Sequence, residues 1–137
     1  MRVISISSGE AIERLLEKGK NFFTSAKANL ERGFYDVACF EADQAAQLTL
    51  KAYIQKLGGS VPRTHSIRRL LAHLGSLTER KECVDNFASE LRAGLITLED
   101  AYLRARYAAE RYVKEDAELC VRMAEEVIKL AESLTRG

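Results

Sequence analysis

A single proline, Pro62, interrupts this chain, and most of its eight glycines fall where periodic apolar segments end. A β-sandwich or barrel reverses direction often and needs far more residues that accept turn geometry. With so few breakers, long helices are the fold that the chain can build, and an all-α class is expected. The length of 137 residues suits one domain over 1–137, since two would each be undersized. Hydrophobic residues at 47% and charged residues at 30% supply both a core and a solvated surface, which excludes a disordered chain.

Charge and composition also limit function. Lysine and arginine number 21 against 20 acidic residues, a net charge of +1, so no global field draws the chain to nucleic acid and no DNA is expected as a ligand. A local basic patch stays open. The two histidines, His65 and His73, leave little room for multi-histidine metal sites. The three cysteines, Cys39, Cys83 and Cys120, are odd in number and form no C-x-x-C, so neither a disulfide framework nor a zinc ribbon is supported. They read as small core residues in a reducing compartment. No apolar run is long enough to span a membrane, and the first residues carry too short a one for a signal peptide. The expected location is the cytoplasm, with no membrane partner.

Periodicity predicts five helices, near 8–32, 36–57, 65–75, 79–107 and 116–134. Ser7-x-x-Glu10 is a capping box opening the first, and Gly33 is its expected C′ residue. Asp36 is the expected N-cap of the second, which makes helices 1 and 2 an antiparallel hairpin. Helix 2 carries Ala38, Ala42, Ala45, Ala46 and Ala52 beside Phe40, Leu48, Leu50, Tyr53 and Ile54. Small and apolar residues lie on more than one side, so it should be central. Gly58 and Gly59 end it. Thr64 or Ser66 caps a short third helix, which Gly75 ends. Ser76-x-x-Glu79 is a second capping box, opening one long helix to Tyr107 in which Thr97-x-x-Asp100 is a restart or an internal coincidence. In the last helix Glu118/Arg122 and Glu125/Lys129 stand at i,i+4.

Several chemistries lack their residues. A ferritin-like site needs a carboxylate three residues before a histidine, and those positions hold Pro62 and Leu70. There is no H-E-x-x-H, no Gly-x-x-x-x-Gly-Lys and no Gly-x-Gly-x-x-Gly. No metal and no cofactor is expected.

Three segments carry a family resemblance. Gly33-Phe-Tyr35-Asp36-Val-Ala38 leads into Gln44-Ala45-Ala46-Gln47-Leu-Thr-Leu50-Lys51-Ala52. Gly58-Gly59 is followed by Pro62-x-Thr64-His65-Ser66-Ile67 and Leu70-Leu71. Ala101-Tyr102-Leu-Arg104-Ala-Arg106-Tyr107 comes last. In this order they resemble the HEPN domains (higher eukaryotes and prokaryotes nucleotide-binding), with Gln47 where that family's pattern has glutamate. The resemblance implies an antiparallel up-and-down four-helix bundle with an additional short helix. It implies a homodimer, often paired with a minimal nucleotidyltransferase protein as half of a toxin–antitoxin pair, with nucleotide or RNA as ligand. Some members cut RNA without metal through an Arg-x4–6-His motif at the join of the last two core helices.

At that join this chain departs from the motif. No histidine follows Arg104 or Arg106, and the nearest counterpart is Tyr112. A phenol with a reference pKa of about 10 is a poor base at neutral pH. A literal Arg68-x4-His73 occurs in the third helix, away from the join. The chain therefore reads as a binding module rather than an enzyme. A ribonuclease with Arg106 and Tyr112 as candidates, or a structural adaptor dimer, stays open. Candidate nucleotide- or phosphate-binding residues are Tyr102, Arg106, Lys51, His65 and Arg104. The guanidinium suits a phosphate and the aromatic ring a base. The alternatives are an arginine tied to a carboxylate such as Asp43 or Glu41, a solvated Lys51, and a His65 that merely packs or caps. Tyr102 and Arg106 share one side of a helix, while Arg104 lies about 160° from Arg106, which assigns Arg106 to the cleft and Arg104 to an outer face.

Overall fold

The computed structural model describes residues 8–107 and 111–136, with backbone alone for 105–107. Six helices follow in order: α1 (Ser8–Glu31), α2 (Tyr35–Lys56), α3 (Ile67–Leu77), α4 (Lys81–Glu90), α5 (Arg92–Tyr107) and α6 (Lys114–Thr135). Among the described residues there is no strand. α2 touches α1, α3, α5 and α6. Its alanines 38, 42, 45, 46 and 52 are fully buried with Leu50 and Ile54, so the expected central helix is the observed one.

The α1–α2 hairpin follows from Gly33. Its φ of +81° is a left-handed value that costs glycine little. This lets Gly33 N–H donate to Leu30 O at 3.2 Å and Phe34 N–H to Asn29 O at 2.9 Å, closing α1. Phe34 then accepts the first α2 bond, from Ala38 N–H at 2.9 Å. That leaves Asp36 in the first turn instead of at the expected N-cap, which Phe34 occupies with no side-chain bond. Buried Asn29 and half-buried Ser25 both donate to Glu41, each at 2.6 Å, and lock the hairpin.

α6 runs parallel to α2, with Cys39 beside Cys120 at one end and Tyr53 beside Glu132 and Thr135 at the other. α5 runs antiparallel to α6: Gly94 packs on Met123, and Arg104 shares a cleft with Tyr112 and Asp116. α1, α2, α5 and α6 thus make the up-and-down four-helix bundle, and α3 and α4 are short additions.

The second addition corrects the expected helix over 79–107, which breaks at Leu91 (φ −106°, ψ 18°). α4 lies on α3, while α5 crosses to α2 and α6. A Cβ at Gly94 would come within 2.6 Å of Met123 Sδ, so the absence of a side chain there lets Met123 of α6 pack directly on α5. Gly75 does not end α3 either. It is buried inside the helix, where a Cβ would meet Val84 Cγ2 at 2.9 Å, and it admits α4. The capping box at Ser76 and Glu79 does not form, because α3 continues to Leu77 and Arg80 is the N-cap of α4. Ser66 caps α3, accepting from Arg69 N–H at 3.2 Å. Thr97 lies within α5 and bonds back to Ala93 O. α6 starts at Lys114, two positions before Asp116, whose carboxylate accepts from Val113 N–H at 2.9 Å. Ser7 lies outside the described residues. No helix among the described residues is long and apolar enough to cross a membrane.

Leu50 is fully buried at the centre and Leu103 is 61% exposed. Leu50→Ala should lower the unfolding free energy by about 2–5 kcal/mol in urea denaturation, far more than Leu103→Ala does at concentrations where the chain is monomeric.

Candidate functional site

Asp43, Gln47 and Lys51 recur at four-residue spacing and form one stripe along α2. The stripe climbs from the core to the surface: Asp43 is fully buried, Gln47 is 2% exposed, and Lys51 is half-buried. Gln47 Nε2 donates to Asp43 Oδ2 at 2.7 Å. Gln47 Oε1 lies 3.3 Å from Nδ1 of His65, which belongs to the connection before α3. Tyr102 of α5 stacks on the His65 ring, with centroids 3.8 Å apart and planes 17° from parallel. The connection is shaped locally: Thr64 N–H donates to Pro62 O at 3.0 Å, and Ser66 N–H to Thr64 Oγ1 at 3.0 Å.

His65 stands where two clefts of about 410 Å³ meet. Lys51, Val61, Pro62, Arg63 and Thr64 line one with it. Ser66, Glu99, Asp100, Tyr102, Leu103 and Arg104 line the other. Lys51, His65, Tyr102 and Arg104, from three separate parts of the sequence, are thus brought together. Arg104 reaches further than helical spacing alone suggested. It also lines a smaller cleft of about 210 Å³ with Thr97, Asp100, Arg111, Tyr112 and Asp116. The side chain of Arg106 lies outside the described residues.

The N-terminus of α3, beside His65, is already occupied by a carboxylate. Glu99 Oε1 accepts from Arg68 N–H at 2.8 Å and Ser66 Oγ at 3.0 Å. Both Glu99 oxygens take the Arg68 guanidinium, with Nη2 at 3.1 Å from Oε2. Arg68 is thus tied to a carboxylate, held by Glu99. Arg68-x4-His73 makes no exposed pair, since Arg68 is engaged there and His73 Nε2 is buried without a hydrogen bond.

Titration separates the remaining groups. Burial pushes the Asp43 carboxyl up to about 8; the bond from Gln47 opposes this, and the Glu99 charge adds to it. Its Oδ1 accepts no hydrogen bond of good geometry. Burial also raises the Tyr112 phenol well above its ordinary range, with Arg104 acting the other way, so Tyr112 is no base at neutral pH. The contact with Cys120, followed by burial, raises the Cys39 thiol far beyond reactivity. Among the described residues no cluster of three or more His, Cys, Asp or Glu is arranged to hold a metal.

Asp43, Gln47, Arg63 and Glu99 were not among the residues expected from sequence. For Asp43 and Gln47 the available signals were their four-residue spacing with Lys51 and the place of Gln47 in the family pattern, while Arg63 and Glu99 carried none.

The fold is an all-helical bundle in which a polar stripe leads to a histidine between two clefts. The family model for the HEPN domain matches residues 12–134, and the chain belongs to that family. Solved structures agree. The protein TT1696 from Thermus thermophilus is 27% identical, with a TM-score of 0.74, over 90% of this chain and 97% of that one. A HEPN domain protein from Thermotoga maritima is 30% identical, with a TM-score of 0.66, over 88% and 96%. ST0689, an archaeal HEPN homologue, is 21% identical and shares the fold, with a TM-score of 0.68 over 91% and 98%. No curated protein matches the chain.

Asp43 holds its proton more tightly folded than unfolded, where its value is near 3.8. Between that value and about 8 the folded state binds the extra proton. Its contribution to stability is complete below the lower value and is lost as pH rises through the upper one. Denaturation midpoints should fall from about pH 5.5 to about pH 8.5, and the fall should be much smaller in Asp43→Asn.

Proposed function

We propose that this HEPN protein is a nucleotide- or phosphate-binding module that works with a minimal nucleotidyltransferase as half of a toxin–antitoxin pair. The observation that carries this reading is the meeting of Lys51, His65, Tyr102 and Arg104 on two clefts joined at His65. An ammonium and a guanidinium supply charge for phosphate oxygens. The Tyr102 ring supplies an aromatic surface beside them. Arg106, the residue assigned to the cleft from sequence, remains part of this proposal as a phosphate contact.

A charge-assisted contact is worth about 1.5–3 kcal/mol, so Lys51→Ala or Arg104→Ala should weaken binding about tenfold or more. ATP, GTP and a short RNA are titrated by calorimetry at matched salt, with circular dichroism confirming that each variant is folded. No binding by the unmodified protein would favour an adaptor whose ligand is the partner protein. In the same preparations RNA should survive in chelator, because no histidine follows Arg106 and Tyr112 is held protonated. Cleavage lost on Tyr112→Phe would instead support the ribonuclease reading.

Homodimerisation belongs to the proposal. Phe34, Val37, Leu103 and Val113 are exposed apolar side chains. They sit at the start of α2, the end of α5 and the start of α6, which the helix directions bring to one end of the bundle. A two-fold interface would cover them symmetrically. Sedimentation at micromolar concentration should show a dimer, and Leu103→Asp with Val113→Asp should shift it to monomer.

A further inference from the structure

We propose that Asp43 and Gln47 are positioning residues that hold His65 in one tautomer, with its proton on Nδ1, so that the ring must take up a solvent proton at Nε2 to bind a dianion. The dianion arm rests on the binding reading above; the tautomer arm stands on geometry alone.

The Gln47 amide is 2% exposed, and both its polar atoms are engaged. A side-chain carbonyl oxygen only accepts, so the His65 nitrogen facing Oε1 is the one that carries hydrogen. A neutral imidazole has one N–H, and Nε2 is then left with a lone pair. Nε2 lies on the ring edge away from Gln47, and His65 is exposed to both clefts.

Asp43 fixes which way the amide points. As a carboxylate it can only accept, so it demands the NH₂ end of Gln47. Protonated on the unpartnered Oδ1, it still accepts through Oδ2. Turning the amide round would require the proton on Oδ2 itself. The Tyr102 stack meanwhile restricts rotation of the imidazole.

A dianion approaching this ring meets a lone pair. Proton uptake turns Nε2 into a charged donor, and the proton comes from solvent. The groups around the ring act in both directions. Lys51 of α2, Arg63 of the connection and Arg104 of α5 disfavour the imidazolium in an empty cleft, and a dianion offsets them. Asp100 and Glu99 of α5 favour it, with Glu99 partly neutralised by Arg68 of α3. Asp43 lies beneath, behind Gln47.

With only two histidines in the chain, nitrogen-15 long-range spectra read the tautomer directly, and His73→Gln removes the second set of signals. At neutral pH His65 should show a protonated Nδ1 and a bare Nε2. Gln47→Met should release the ring to a mixture of tautomers, and so should Asp43→Asn. The ligand probe is inorganic sulfate, a dianion that does not titrate near neutrality. Its affinity for the unmodified protein should fall about tenfold from pH 6 to pH 8. Both variants should show a flatter profile, because a freed neutral ring can present Nε2–H without taking up a proton.

A protonated Nε2 in the unmodified protein, or a tautomer unchanged in Gln47→Met, overturns the positioning role. Flattening in Asp43→Asn alone assigns the pH dependence to the Asp43 charge and overturns the proton-uptake step. A locked tautomer with no sulfate binding supports the positioning role and overturns both the uptake step and the reading of these clefts as an anion site. The Gln47→Met arm keeps the tautomer test decisive if Asp43→Asn does not fold.

Discussion

α2 is enclosed by α1, α3, α5 and α6, and everything else in the molecule is arranged around that enclosure. A helix with neighbours on so many sides cannot carry large side chains all round, because the axes must approach closely. Five fully buried alanines meet that constraint. The neighbours then supply the volume, through Leu70, Leu71 and Leu74 from α3, Leu95 and Leu98 from α5, and Val127 from α6. Where even alanine is too large, the partner helix yields instead. Gly19 of α1 lies so close to α2 that a Cβ would come within 2.7 Å of Thr49 Oγ1.

The same enclosure explains why the site is where it is. On the face of α2 that carries Asp43, burial relaxes toward the C-terminal end, so the polar stripe becomes hydrated as it climbs. Asp43, Gln47 and Lys51 trace that gradient from full burial to partial exposure. The Pro62–Ser66 connection closes over the upper part of the stripe, and Tyr102 meets it from α5. The histidine is therefore held from below by an amide and from its face by a phenol ring, in a loop that has little secondary structure of its own.

Much of this arrangement was legible in the residues. The all-α class, the central α2 and the Gly33 closure follow from periodicity and local backbone chemistry, Ser66 is one of two candidate caps for α3, and the bundle follows from the family resemblance. The errors have a common physical cause. Gly75 looks like a terminator in one dimension, but it is a site of close helix contact that only the third dimension reveals, as is Gly94. The break at Leu91 has no residue signal, because it exists to let α5 leave α3 for α6. In the site, Tyr102, His65 and Lys51 could be named from the family pattern. Their meeting could not, since it depends on the loop geometry. Asp43 and Gln47 stayed hidden because a side chain's burial is set by neighbours distant in sequence.

A buried carboxyl without a cation is a costly feature in a helix that packs this tightly. Transferring an ionised group into such surroundings is so unfavourable that it becomes protonated instead, which is what the raised Asp43 value records. An apolar residue of similar size would satisfy the packing of α2 without that penalty. Packing therefore gives no reason for an acid at this position. Among the described residues the side chain that donates to Asp43 Oδ2 is Gln47, at 2.7 Å, with Gln44 a weaker influence on the same carboxyl. Gln47 in turn contacts the one histidine exposed to the clefts. The physical consequence of Asp43 thus appears two side chains away, at the imidazole, where the direction of one amide decides whether the nitrogen facing the clefts carries hydrogen.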